Sequence, residues 1–252
     1  MKRIIAGSIC FIFLLSNLHA EVKTGSIQSL KYDFKEAKKE MEYALYLPKG
    51  YTKTKKYPMI LALHGLGSTP TGILRYPGFT KLAEKHGYIL AAPMGYNRRG
   101  WYGSLRNMGR FAKPKNLGEL SEKDVMNVLE LVRKNYSIDE KRIYLLGHSM
   151  GGGGTWHLAM KYPKIWAALA PIAPAIFRST DGLKKIKHLP VILVQGDNDR
   201  LVRVSIARRW AAKMKELKMT HEYIEVKNGD HVRPAFQKMP DIFEFFGKHR
   251  KK

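Results

Sequence analysis

The chain has a single cysteine, Cys10, among its 252 residues. An internal disulfide framework is therefore excluded, and stability has to come from a packed core. Acidic residues are also in short supply, with 21 Asp and Glu against 45 Lys and Arg for a formal net charge of +24. The basic residues form no single long block. They are spread over "KEAKKE", "KTKK", "NRRG", "KKIK", "ARRW" and "HRKK", which reads as a solvated surface rather than a dedicated polyanion site. Weak, salt-sensitive attraction to anionic envelope polymers is expected, and a specific nucleic-acid partner is not. Internal repeats and low-complexity linkers are missing too, which points to one domain.

Long hydrophobic runs are nearly absent. The one candidate, Ile4 to Leu15, is too short to span a bilayer comfortably. It follows Lys2 and Arg3 and leads through Ser16 and Asn17 to "LHA" before Glu21. That order of charged, apolar and small-residue regions predicts a signal peptide over residues 1–20, cleaved after Ala20. Export to the periplasm or beyond the cell is the implied destination, with no stable membrane anchor left. Cleavage also removes Cys10 and leaves residues 21–252 as the mature domain.

What remains alternates between two patterns. "MEYALYLP" alternates like a half-buried strand, and "YPMILALHG" is a continuous apolar run of the kind buried on both faces. "GYILAAP", "RIYLLG", "AALAPIAP" and "LPVILVQG" repeat that style, and "HEYIEV" is a weaker last strand. Helical patterns lie between them. "SEKDVMNVLELVRKNY" places Ser121 and Asp124 in capping-box positions ahead of Val125, Val128, Leu129 and Val132. "TWHLAMKYP" predicts a helix beginning after the glycines, and "SIARRWAAKMKELK" and "RPAFQKMPDIFEFFGKH" predict two more stretches. Such alternation predicts an α/β fold: a mostly parallel sheet with helices on both faces and an antiparallel amino-terminal edge. The span between "AALAPIAP" and "LPVILVQG" is too short for a large lid domain, so an open cleft is expected. Ligands of such sheets sit beyond the carboxyl ends of the strands.

Gly147-His148-Ser149-Met150-Gly151 lies at one of those ends, between "RIYLL" and a helix. It matches G-x-S-x-G, where a tight strand-to-helix turn flanked by glycines pushes a serine hydroxyl outward. A serine needs a histidine to take its proton and a carboxylate to orient that ring. In this type of sheet the order is Ser, acid, His. Of the aspartates between Ser149 and the last candidate histidine of the site, Asp181, Asp197, Asp199 and Asp230, only Asp197 and Asp199 directly follow a strongly buried strand. Among the histidines, His157 falls within a helix, His188 precedes a strand, His221 starts one and His249 lies in the basic tail. His231 follows "EYIEV" on "KNGDHVRP", among the loops that converge on the site. The Met150 N–H opens a helix and aims a donor at developing negative charge. On the same rim, Trp101 and Tyr102 of "MGYNRRGWYGS" are candidates for an apolar substrate wall, and Arg98 and Arg99 for attraction of an acidic substrate.

Taken together, "LPKGY…YPMILALHGLGS…IDEKRIYLLGHSMGGGGTWHLAMKYP…AALAPIAPA…VQGDNDRLVRV…GDHVRP" resembles the α/β-hydrolase superfamily over nearly the whole mature chain. Within it, the chain is similar to secreted esterases grouped with polyhydroxybutyrate depolymerases and feruloyl esterases, and to prolyl-oligopeptidase-type hydrolase domains. The resemblance implies a metal-free and cofactor-free serine hydrolase acting on a small-molecule or polymeric carboxylic ester. It selects Asp199 through G-x-x-D counted from Gly196, assigns the Leu66 N–H as second oxyanion donor, and makes His64 a shaper of that loop. Peptidase or glycan acyltransferase chemistry would use the same residues. A non-catalytic binder of polyanions or cell wall is the alternative outside enzymes.

Overall fold

The computed structural model describes residues 23–105 and 113–252. The leader expected over residues 1–20 lies outside them. An eight-stranded sheet runs through the described chain in the order β1-β2-β4-β3-β5-β6-β7-β8. Its strands are β1 (Ile27–Phe34), β2 (Lys39–Tyr46), β3 (Tyr57–Leu63), β4 (Ile89–Pro93), β5 (Ile138–His148), β6 (Ala168–Ile172), β7 (Val191–Gly196) and β8 (His221–Val226). β1 and β2 pair antiparallel, β2 pairs antiparallel with β4, and every pairing from β4 onward is parallel. The antiparallel edge and parallel body are those the residue patterns predict.

Side-chain alternation divides the core in two. Met59, Leu61, Leu63, Ile143 and Leu145 pack on one face against α3 (Leu117–Asn135), α4 (Met150–Lys161) and α5 (Val204–Glu216). Ile60, Ala62, Tyr144 and Leu146 face the other way. There they meet α1 (Pro70–Leu74), α2 (Phe79–His86), α6 (Arg233–Gln237) and α7 (Met239–Lys248), whose Phe243, Phe245 and Phe246 are buried. No helix among the described residues is long and apolar enough to cross a membrane.

Two helix starts differ from expectation. α3 begins at Leu117, so Ser121 and Asp124 lie inside it rather than at its cap. Both are fully buried because they serve groups distant in the chain: Ser121 Oγ accepts from the Tyr102 amide at 2.9 Å, and Asp124 accepts from the Gly95 amide at 2.6 Å and the Tyr32 hydroxyl at 2.5 Å. α4 opens at Met150, as expected of its N–H, but takes in all four glycines where the residue pattern starts the helix after them.

Close packing explains why glycine is tolerated in that helix. A Cβ on Gly151 would sit 2.0 Å from the Leu63 carbonyl oxygen, and one on Gly147 would sit 2.1 Å from the Gly151 carbonyl oxygen. Both obstacles are backbone, so neither can swing aside. Gly151→Ala is therefore expected to destabilise the fold by about 3 kcal/mol or more through overpacking, read as a lower denaturant midpoint. A midpoint equal to wild type would show that α4 can lift off β3 freely.

Candidate active site

The carboxyl ends of β5, β7 and β8 bring the candidate residues together. Ser149 follows β5 and carries φ 57° and ψ −115°, on the left-handed side that a residue with a Cβ rarely occupies. Neighbouring backbone holds it there: its N–H donates to Ile172 O at 2.9 Å, and its carbonyl accepts from Gly153 N at 3.0 Å and Ala175 N at 2.9 Å.

The loops after β7 and β8 are zipped to each other. Asn198 N donates to Gly229 O at 3.0 Å and Asp197 N to Val226 O at 3.2 Å. The approach is close enough that a Cβ on Gly196 would lie 2.2 Å from Gly229 O. This alignment puts His231 Nδ1 2.7 Å from Asp199 Oδ2. Asp199, not Asp197, is the carboxylate that the imidazole meets. Asp199 is also saturated with donors: Oδ2 accepts from Gln195 Nε2 at 2.9 Å, and Oδ1 from the Leu201 and Val202 amides at 2.8 Å each. With Nδ1 committed to Asp199, the free nitrogen of His231 is Nε2.

Ser149 and His231 line one open cleft of about 470 Å³, together with Gly65, Leu66, Trp101, Phe177, Leu201 and Val232. Met150 is the first residue of α4, so its N–H has no carbonyl one turn back. In the Leu66 loop, the backbone bonds are made by the following amides, Gly67 N to Arg98 O at 2.9 Å and Ser68 N to Gly65 O at 3.1 Å. His64 is buried behind that loop, its ring nitrogens 2.8 Å from Gly65 O and 2.9 Å from Met94 O. Burial holds its pKa below the ordinary histidine value.

The expected substrate wall needs one correction. Trp101 lines the cleft, but Tyr102 does not: its side chain is fully buried, with the hydroxyl donating to His64 O at 3.2 Å. The turn through Trp101 and Tyr102, both at positive φ, sends the two rings in different directions. His157 is engaged elsewhere, with Nε2 2.6 Å from Glu122 Oε2. Burial raises the Glu122 pKa, but hydrogen bonds from His157, Lys161 and Tyr162 outweigh that and hold it at about 2.

Residue patterns alone missed His148 and Tyr76. His148 Nε2 lies 2.8 Å from the His231 carbonyl oxygen, which can only accept, so Nε2 carries the proton. Nδ1 then accepts from the Tyr76 hydroxyl at 2.7 Å. The backbone of His231 is thus tied to the residue beside Ser149. Burial pushes the His148 pKa from 6.5 down to about 4. Between those values the unfolded chain takes up a proton at this ring that the folded chain refuses, so stability falls as pH drops through the window. The contribution is about 3 kcal/mol, present above pH 6.5 and lost by pH 4. We expect the denaturant midpoint of the wild type to fall over that range more steeply than that of His148→Gln; parallel curves would place the titration elsewhere.

Comparison with known proteins bears on the family and the fold. The Esterase family model ("Putative esterase") matches residues 35–246. The chain is 29% identical over 164 residues to S-formylglutathione hydrolase of Bos taurus, covering 60% of this chain and 57% of that protein. It is 29% identical over 143 residues to a bifunctional acetylxylan esterase/xylanase of Neocallimastix patriciarum, covering 56% of this chain and 19% of that protein. The matched regions thus span between about a fifth and three fifths of these curated relatives. Among solved structures, a ferulic acid esterase from Anaeromyces mucronatus superposes with a TM-score of 0.70 over 91% of this chain and 92% of that one, at 19% identity. A thermostable esterase superposes with a TM-score of 0.71 over 89% of this chain and 63% of that one, at 24% identity. These likenesses show the α/β-hydrolase fold, and the family match over most of the length shows that the chain belongs to the esterase family.

Proposed function

We propose that the protein is an exported carboxylic ester hydrolase working through Ser149, His231 and Asp199. The observation that carries this reading is the convergence on one open cleft of a strained Ser149 and a His231 whose Nδ1 is held by Asp199. In the first step Ser149 Oγ attacks the ester carbonyl carbon while His231 Nε2 takes the hydroxyl proton. The new oxyanion is stabilised by the Met150 N–H at the start of α4 and by the Leu66 N–H. Collapse breaks the bond to the alcohol, which leaves with the proton from Nε2. Water then attacks the acyl-enzyme by the same route and frees the acid. Removal of one oxyanion donor typically costs about 3 kcal/mol of transition-state stabilisation.

The cleft suits an ester presented at a surface or on a small molecule. It is lined by Trp101, Phe177, Leu201, Ile206 and Val232 beside Ser149, so an apolar acyl or aromatic group fits against its walls. The segment between β6 and β7 forms only a short 3₁₀ helix over Thr180–Ile186, which leaves the mouth open on that side. A fluorophosphonate probe tests the chemistry directly. Labelling of the wild type, mapped by mass spectrometry to the peptide holding Ser149, is expected. An unlabelled protein, or a label on another residue, would remove Ser149 from the mechanism.

A further inference from the structure

The large hydrophobic side chains exposed among the described residues are Leu66, Phe177, Leu201 and Val232, from 40% to 77% exposed. All of them line the mouth of the Ser149 cleft. They come from separate loops, so their convergence is a product of the fold. Leu201 is the most exposed of them, and its amide is held by Asp199. An apolar collar with so much area left in water marks a surface that meets something apolar.

The loops that carry the collar also carry charge. Arg200 and Arg203 flank Leu201 and Val202, Arg233 follows Val232, and Arg98 accepts through its carbonyl from Gly67, next to Leu66. These four arginines and Arg99 are exposed. The arginine ion pairs among the described residues belong to Arg133, Arg142 and Arg208 instead. Besides Asp199, which is buried against His231, two acids stand near these arginines in the chain. Asp197 is part-buried, and Asp230 turns Oδ1 to the amides of Val232 and Arg233 at 2.9 and 2.7 Å.

Aliphatic tips on loops that also carry exposed arginines are complementary to an anionic lipid surface, whose headgroups meet the cations while its acyl region takes the apolar collar. A soluble acidic polymer would satisfy the arginines and leave Leu66, Leu201 and Val232 in water. We infer that the mouth of the cleft docks face-down on anionic lipid, so that esters in or on such a layer are the ones Ser149 meets. Its statement about substrate rests on the esterase reading; the docking itself does not.

The test uses the full chain as Ser149→Ala, so that binding is read without hydrolysis. Its probes are vesicles of phosphatidylcholine alone and of phosphatidylcholine mixed with phosphatidylglycerol. Binding to the mixed vesicles alone is expected, weakening with salt and falling about fivefold for each rim arginine changed to Gln. Orientation is read from tryptophan. Trp156, Trp166 and Trp210 are fully buried, whereas Trp101 lines the mouth and its ring lies 6.0 Å from that of Phe177. Lipids with brominated acyl chains should quench Trp101 fluorescence, and a Trp101→Phe variant should lose that quenching. Leu201→Ser is expected to weaken binding roughly tenfold. Equal binding to both vesicles, binding without quenching, or retention by dextran sulfate with no vesicle binding would each overturn the proposal. The Arg200, Arg203 and Arg233 variants of the Ser149-containing protein should still hydrolyse p-nitrophenyl acetate like wild type, because those residues do not line the cleft. Failure of the wild type itself on that ester would sink the esterase reading and leave the binding result intact.

Discussion

Ser149→Ala is expected to lower kcat for p-nitrophenyl acetate by roughly a million-fold, leaving only what the cleft and its amides contribute over water. The size follows from the loss of covalent catalysis, since without Oγ no acyl-enzyme forms and His231 has no hydroxyl to deprotonate. Folding should not suffer. Ser149 makes its structural bonds through its own N–H and carbonyl, to Ile172, Gly153 and Ala175, and alanine keeps both. A full series from acetate to decanoate would size the acyl pocket in the wild type. Retention of a tenth of the activity in the variant would rule Ser149 out as the nucleophile.

Asp199→Asn is the other large effect, expected to lower kcat/KM by about ten-thousand-fold. Asp199 uses both oxygens as acceptors, Oδ2 toward His231 and Gln195 and Oδ1 toward the amides of Leu201 and Val202. Asparagine has one acceptor oxygen. If it keeps that oxygen on the backbone amides, its NH₂ faces Nδ1 and forces the proton onto Nε2, where it blocks uptake of the serine proton. If it turns the oxygen to His231, two buried amides lose their acceptor and the loop carrying Leu201 loosens. Either arrangement disables the site. Asp197→Asn should leave kcat/KM near wild type, and a comparable collapse there would mean that Asp197 is the working acid.

Much of this was legible in the residues, for a physical reason. Strands buried on both faces leave long apolar runs, so β3, β5, β6 and β7 announce themselves, and the residues just beyond them are the ones that can meet. G-x-S-x-G is legible because the approach of α4 to Leu63 O excludes a Cβ. What stayed hidden depends on distant partners. The buried bond from Tyr32 to Asp124 joins residues 92 apart in sequence, so the capping pattern around Ser121 misled. The different surroundings of Trp101 and Tyr102 follow from a left-handed turn that no local preference of those residues suggests. His148 occupies a position that G-x-S-x-G leaves unspecified, and only the return of the β8 loop shows that it holds the His231 carbonyl.

The backbone at Ser149 sits where glycine is at ease and serine is not, at a cost on the order of 1–3 kcal/mol. Selection for foldability alone would settle on glycine at this turn, since the side chain adds no bond that holds the fold. The serine is thus a residue the architecture tolerates rather than asks for. What that cost obtains is a hydroxyl presented at the cleft, which the proposed role of Ser149 as nucleophile requires.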